Sequence, residues 1–154
     1  MVMTCNFHIF NVAKMDNTGP LFLISDNHIC AVRSTKWRLE QLLGTDINVI
    51  IGHNGEDAIK LFGEIVGSGN HSRLRAVFVG CHMPKLSGLQ TAVVNIERMN
   101  NILRHVAIIG TTTDLNNVTH AEFIEAGANA VLEKPVAEGA IEVLITAIMQ
   151  DNNN

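Results

Sequence analysis

The segment 75–88 has the pattern of a strand that leads into a ligand crevice. Its apolar residues 76–79 have strand character, and a turn with Met83 and Pro84 follows them. In open α/β sheets, residues at such strand ends commonly bind the ligand. Here the strand ends at Gly80, which supplies neither a carboxylate nor a base. The sequence therefore predicts a crevice whose central position has no side chain.

Cysteine and histidine, the other residue types that often carry chemistry, show no ligand pattern. Cys5, Cys30 and Cys81 lie far apart, and the 7 histidines recur at no helical or hairpin interval. We therefore expect no metal site. We also expect reduced thiols in an intracellular protein that is located in the cytoplasm, with the nucleus as an alternative location. Cys81 beside the strand end is a conceivable nucleophile, but strand alternation points it away from the face of Gly80, which favours an inert thiol.

Length and composition indicate one globular domain. The chain has 154 residues, 47% of them hydrophobic, and a formal net charge of -4. This balance argues against nucleic acid or a membrane surface as the main partner. Residues 1–19 lack the features of a secretory signal. We expect a poorly specified leader at 1–19, a domain at 20–149 and a polar tail at 150–154.

Apolar runs of strand length alternate with amphipathic helical patterns along the chain. Strands with uninterrupted apolar residues are typical of a parallel sheet covered on both faces. We therefore predict an α/β fold with a doubly wound, five-stranded parallel sheet. The runs are residues 21–24, 47–51, 76–79, 106–109 and 130–132, and the helical patterns lie near 28–43, 54–66, 89–96, 118–125 and 141–148.

Several local features of these elements are also predicted. Asn27 is expected to cap the first helix, and Ile29 and Trp37 to lie on its apolar face. A polar loop is expected at 67–74, and a turn at 110–113 after the fourth strand.

Short motifs occur in the order and spacing of a response-regulator receiver domain. The chain resembles this CheY-like family over roughly residues 20–149, which implies a flavodoxin-like (βα)5 fold with strand order 2-1-3-4-5. The run 123–127 and the absence of an output domain look most like the stand-alone, type-C-like regulators of plants. The motifs are residues 23–27, residues 54–58, Met83-Pro84 with Gly88, Thr111, and 125–127 through Lys134-Pro135.

The resemblance assigns a degenerate phosphorylation pocket. Receivers carry an acid pair after the first strand, and this pair maps to Ser25 and Asp26. The phosphoacceptor aspartate, three residues before the Met-Pro pair, maps to Gly80. The hydroxyl after the fourth strand maps to Thr111 and the lysine after the fifth to Lys134. One acid, the hydroxyl and the lysine are thus kept, and the acceptor is missing.

These losses predict a pocket without phosphoryl chemistry. Gly80 offers no carboxylate nucleophile, so we expect no catalytic residue there. One carboxylate rarely holds Mg²⁺, so binding of Mg²⁺ should be lost or very weak. Asp26 could instead pair with Lys134. Val131 stands where the family has its aromatic switch residue.

The resemblance therefore predicts a pseudo-receiver: a non-enzymatic, protein-binding module of two-component or phosphorelay signalling. It implies a histidine kinase or a histidine-containing phosphotransfer protein as partner, and a monomer or weak homodimer. The implied contact surface is the start of the 28–43 helix with the neighbourhoods of Pro84, Thr112 and Pro135. Two alternatives stay open: residual phosphotransfer or phosphohistidine phosphatase activity through Asp26 or water, and small-molecule or anion sensing through Lys134 and Thr111.

Overall fold

A computed structural model describes residues 18–80, 105–114 and 116–151 of the chain, and these form alternating strands and helices. The strands are β1 (Leu21–Ser25), β2 (Asn48–Gly52), β3 (Leu74–Gly80), β4 (Ala107–Thr112) and β5 (Ala130–Glu133). The helices are α1 (Ile29–Leu43), α2 (Gly55–Gly67), α3 (Asn117–Glu125) and α4 (Glu138–Asp151), with a 3₁₀ helix at Asn70–Arg73. The predicted helix at 89–96, the Met83-Pro84 turn, Cys81 and most of the leader lie outside the described residues.

The strands form one parallel sheet in the order β2-β1-β3-β4-β5. Each strand pairs in parallel with its neighbours, so the carboxyl ends of all of them lie at one edge of the sheet. This arrangement confirms the predicted doubly wound fold and its strand order.

The sheet separates two apolar layers, because alternate side chains of each strand point to opposite faces. In β1, Leu21 and Leu23 belong to one layer, and Phe22 and Ile24 to the other. The first layer is completed by helices α2 and α3, through Leu61, Phe62, Ile65 and Phe123. The second is completed by helices α1 and α4, through Val32, Leu39, Ile141, Ile145 and Ile148.

Helix α1 differs from the prediction at its start and on its surface. Its N-cap is His28 rather than Asn27, and the His28 N–H donates to Asp26 Oδ1 at 3.0 Å. Ile29 and Trp37, predicted on the apolar face, are 45% and 52% exposed. The buried stripe is narrower than predicted and consists of Val32, Thr35 and Leu39.

Strand β4 is longer than predicted, because it continues through residues expected to form a turn. Thr111 and Thr112 lie in the strand and are 4% and 1% exposed. Both pair with β5, opposite Leu132 and Glu133. Threonine is β-branched and suits a strand, and pairing with β5 continues the strand through both residues in place of a turn.

The ring of Phe123 packs directly against Gly110 of β4. A Cβ built at Gly110 would lie 2.5 Å from Phe123 Cδ1, far inside contact distance. We expect Gly110→Ala to lower the free energy of unfolding by about 1–3 kcal/mol because the ring must move. Urea unfolding followed by circular dichroism measures this.

The matched control for this prediction is Gly63→Ala in α2. A Cβ at Gly63 would meet nothing within 4 Å, so this change should raise the stability by up to about 1 kcal/mol through helix propensity. A Gly110→Ala protein as stable as the wild type would contradict the packing.

Candidate functional site

The carboxyl ends of the strands bring the residues of the predicted pocket to one edge of the sheet. Ser25, the last residue of β1, lies opposite Val79 in β3. Gly80, the last residue of β3, lies opposite Thr111 in β4. Lys134 follows β5, and its N–H donates to the Thr112 carbonyl at 2.6 Å, which continues the ladder between the two strands.

The centre of this crevice is an ion pair between Asp26 and Lys134. Lys134 Nζ lies 2.8 Å from Asp26 Oδ2, and the two side chains are only 9% and 4% exposed. Thr111 Oγ1 donates to the same carboxylate oxygen at 3.5 Å. The pairing predicted from the sequence is therefore present, and it joins three of the pocket residues.

The other oxygen of Asp26 contacts His28, which the sequence analysis did not single out. Asp26 Oδ1 accepts the His28 N–H at 3.0 Å and lies 3.3 Å from the ring nitrogen Nδ1. Lys134 Nζ is 3.4 Å from the same nitrogen. An aspartate side chain often accepts the backbone N–H of the residue two positions later. The two-residue spacing between Asp26 and His28 was therefore the sequence signal that could have pointed to His28.

Gly80 lets the Asp26 carboxylate occupy the space of a missing side chain. A Cβ built at Gly80 would lie 2.9 Å from both Cγ and Oδ2 of Asp26. Such a distance is shorter than ordinary contact, so any other residue at this position would push the carboxylate away. The carboxylate of Asp26 thus fills the volume where a side chain at position 80 would begin.

The hydroxyl of Ser25 bonds to the loop before α2. Its side chain is fully buried, and Oγ donates to the carbonyl oxygen of Asn54 at 3.1 Å. Asn54 is the N-cap of α2 and accepts the Asp57 N–H through its side chain. The hydroxyl of Ser25 therefore ties the end of β1 to the loop before α2.

A largely apolar groove of about 270 Å³ opens beside the ion pair. The first turns of α1 form one wall, with His28, Cys30 and Ala31, and the segment after β5 forms the other, with Lys134, Pro135 and Val136. Within the described part of the chain, no group of three His, Cys, Asp or Glu side chains is arranged to hold a metal ion.

Comparisons with known proteins agree on the fold. A signal receiver domain of a DNA-binding response regulator from Colwellia psychrerythraea superposes with a TM-score of 0.72 and 17% identity, over 85% of this chain and 98% of that one. A response regulator receiver domain protein from Clostridium thermocellum gives 0.70 and 21%, over 87% and 97%. The chain has the receiver-domain fold. No protein-family model and no curated protein matches the sequence.

Among the described residues, four of the five predicted pocket residues lie together in the receiver fold. Asp26, Gly80, Thr111 and Lys134 come together as the alignment of motifs implied, whereas the Ser25 hydroxyl is directed to a neighbouring loop.

None of the helices among the described residues has the length and apolarity needed to cross a membrane.

The close approach of Gly80 and Asp26 predicts an energetic coupling between them. We expect Gly80→Ala to destabilise the protein by about 1–3 kcal/mol, because the new Cβ displaces the carboxylate from Lys134. In an Asp26→Ala background the same change should cost much less, since the carboxylate is gone. A double-mutant cycle by urea unfolding measures the coupling, expected at about 1 kcal/mol or more.

The control is Gly139→Ala in the first turn of α4, where a Cβ would meet nothing within 4 Å. Its effect should be the same in both backgrounds. Strictly additive effects of the Gly80 and Asp26 changes would show that the two positions do not compete for space.

Proposed function

We propose that this chain is a pseudo-receiver, a protein-binding module of phosphorelay signalling that works without an aspartyl phosphate. The observation that supports it best is the carboxylate of Asp26 beside Gly80, paired with Lys134 at 2.8 Å. Phosphoryl transfer to a receiver requires a carboxylate nucleophile, and position 80 supplies none. The proposed activity is therefore occupation of a partner and not a phosphorylation switch.

The donor set supports the absence of Mg²⁺ from this mechanism. Mg²⁺ prefers an octahedron of oxygen ligands, usually with one or two carboxylates. Among the described residues, the crevice offers one carboxylate, whose Oδ2 is already 2.8 Å from the Lys134 ammonium. The Ser25 hydroxyl is bonded to the Asn54 carbonyl, and Gly80 has no side-chain ligand atom. These residues do not fit Mg²⁺, so no step of the proposed function depends on it.

The Asp26 carboxylate already supplies the anion that Lys134 contacts, so the crevice does not need an anion from solution. Lys134 and Thr111, which in receivers meet the incoming phosphoryl group, here contact the Asp26 carboxylate. An added phosphate or other anion would have to displace a carboxylate held by the backbone and the ring of His28. This arrangement favours protein binding over anion sensing as the function.

The groove beside the crevice is the proposed contact surface. Ile29, 45% exposed, lies at the start of α1, next to the groove residue Cys30, which is also exposed. The groove itself runs between α1 and the segment that contains Pro135. In receivers the first helix and the loop after the fifth strand meet phosphotransfer partners. We therefore propose a histidine kinase or a histidine-containing phosphotransfer protein as the partner.

The lost acceptor gives a direct phosphorylation test. Incubated with acetyl phosphate and Mg²⁺, the protein should take up no hydroxylamine-sensitive acyl phosphate, measured by intact mass and by radiolabel. The Ser25→Asp, Gly80→Asp double variant is the matched control. It restores the nucleophile and the second acid, so it should become labelled. An acyl phosphate on the wild-type chain would refute the proposal.

The groove gives a binding test. A histidine-containing phosphotransfer domain from the same source should bind the wild-type chain equally with and without phosphodonor, measured by titration calorimetry. Ile29→Asp places a charge in the proposed contact and should weaken binding by about tenfold or more. Val143→Asp is the control, because Val143 is 74% exposed and lies outside the groove. Equal binding by both variants, or binding that needs the phosphodonor, would count against this surface.

A further inference from the structure

Two side chains that line the apolar groove can carry positive charge, and both face the carboxylate of Asp26. Lys134 Nζ lies 2.8 Å from Asp26 Oδ2, and the ring nitrogen Nδ1 of His28 lies 3.3 Å from Asp26 Oδ1. The groove therefore presents a lysine whose charge is already balanced. The other lining residues bear neither carboxylates nor amines, and they are Cys30, Ala31, Ser34, Thr113, Pro135 and Val136.

The amino end of α1 also has an anion from within the chain. Helix N-termini attract negative groups, because their first backbone N–H groups have no partner inside the helix. Here the N–H of the N-cap residue His28 donates to Asp26 Oδ1 at 3.0 Å. A second anion brought to this helix end would meet the Asp26 carboxylate, so the helix end does not make the groove a site for anions.

Further acids adjoin the groove. Asp114 follows the lining residue Thr113, and Glu133 precedes the lining residue Lys134, and both acids are exposed. Together with Asp26, these acids exceed the positive charge of Lys134. Like charges that are brought together at an interface weaken binding, so a negatively charged ligand group is disfavoured at this edge of the sheet.

We propose that the groove selects the unphosphorylated form of its histidine-containing partner and rejects the phosphohistidine form. This proposal rests on the partner binding proposed above. A neutral imidazole suits an apolar groove of about 270 Å³ beside a balanced ion pair. A phosphoryl group would bring negative charge and lose water there without gaining an unpaired lysine. The module would then hold partners that have already given up their phosphoryl group.

The ion pair is the element that discriminates between the two forms. Specificity often comes from groups that the wrong ligand leaves unpaired. Lys134 could turn to a phosphoryl group only by leaving the Asp26 carboxylate, which is 4% exposed, without its cation. Separating a buried pair in this way is strongly unfavourable. The contact with Asp26 therefore keeps Lys134 from rewarding a phosphorylated partner.

The test compares two forms of one histidine-containing phosphotransfer domain. The domain is phosphorylated beforehand on its histidine with phosphoramidate, and each form is titrated calorimetrically against the full chain at about pH 8, where free imidazole is neutral. The phosphodonor of the docking test above addresses this chain, whereas here the phosphoryl group is on the partner. The unphosphorylated form should bind more tightly by about tenfold or more. Equal affinities, or tighter binding of the phosphorylated form, would overturn the proposal.

A variant of this chain tests the assignment to the ion pair. Asp26→Asn removes the carboxylate and leaves the Lys134 charge available. In protein shown to be folded, it should reduce the preference by about tenfold or more, through tighter binding of the phosphorylated form. The matched control is Glu142→Gln, which also removes one acid, at an exposed position of α4 that does not line the groove. An equal reduction by both variants would overturn the assignment.

A change in the partner keeps the proposal testable if Asp26→Asn does not fold. Glutamine in place of the partner's reacting histidine is neutral, whereas glutamate at that position adds a negative charge. The glutamine form should bind more tightly than the glutamate form by about tenfold or more. Equal binding of these two forms would overturn the selectivity. Absence of binding by every form would overturn the docking proposal as well, so the two failures are distinguishable.

Discussion

The buried ion pair between Asp26 and Lys134 is the interaction on which the crevice depends. Removing two charges from water costs several kcal/mol for each, and a close contact with additional hydrogen bonds must offset this cost. The 2.8 Å separation, the backbone N–H of His28 and the hydroxyl of Thr111 supply those bonds. The pair joins residues 108 positions apart and so fixes the end of β1 relative to the end of β5.

The pair exists in this form because Gly80 leaves room for it. A Cβ at position 80 would lie 2.9 Å from the Asp26 carboxylate. The observed position of this carboxylate therefore requires a glycine at position 80. The glycine therefore does more than leave position 80 without a side chain. It leaves space in which the Asp26 carboxylate contacts both Lys134 and His28.

The sequence predicted most of the fold because its strands are continuous apolar runs. Such runs are typical of a sheet that is buried on both faces, and they predicted the fold class. The strand order came from the resemblance to receivers. The prediction was wrong where neighbours decide the environment. Trp37 and Ile29 look apolar in the sequence but lie beside the narrow buried stripe of α1. Thr111 and Thr112 look like a turn but are paired with β5.

The sequence by itself determined which groups are present: one acid at Asp26, a lysine at Lys134, a hydroxyl at Thr111 and no side chain at Gly80. The resemblance to receivers also indicated that the acid and the lysine could pair. Only the tertiary structure decided where these groups lie: the Asp26 carboxylate next to Cα of Gly80, the Ser25 hydroxyl bonded to the Asn54 carbonyl, and His28 in contact with Asp26. These outcomes depend on distances of about 3 Å between atoms of different segments, and residue types and spacing do not specify distances on that scale.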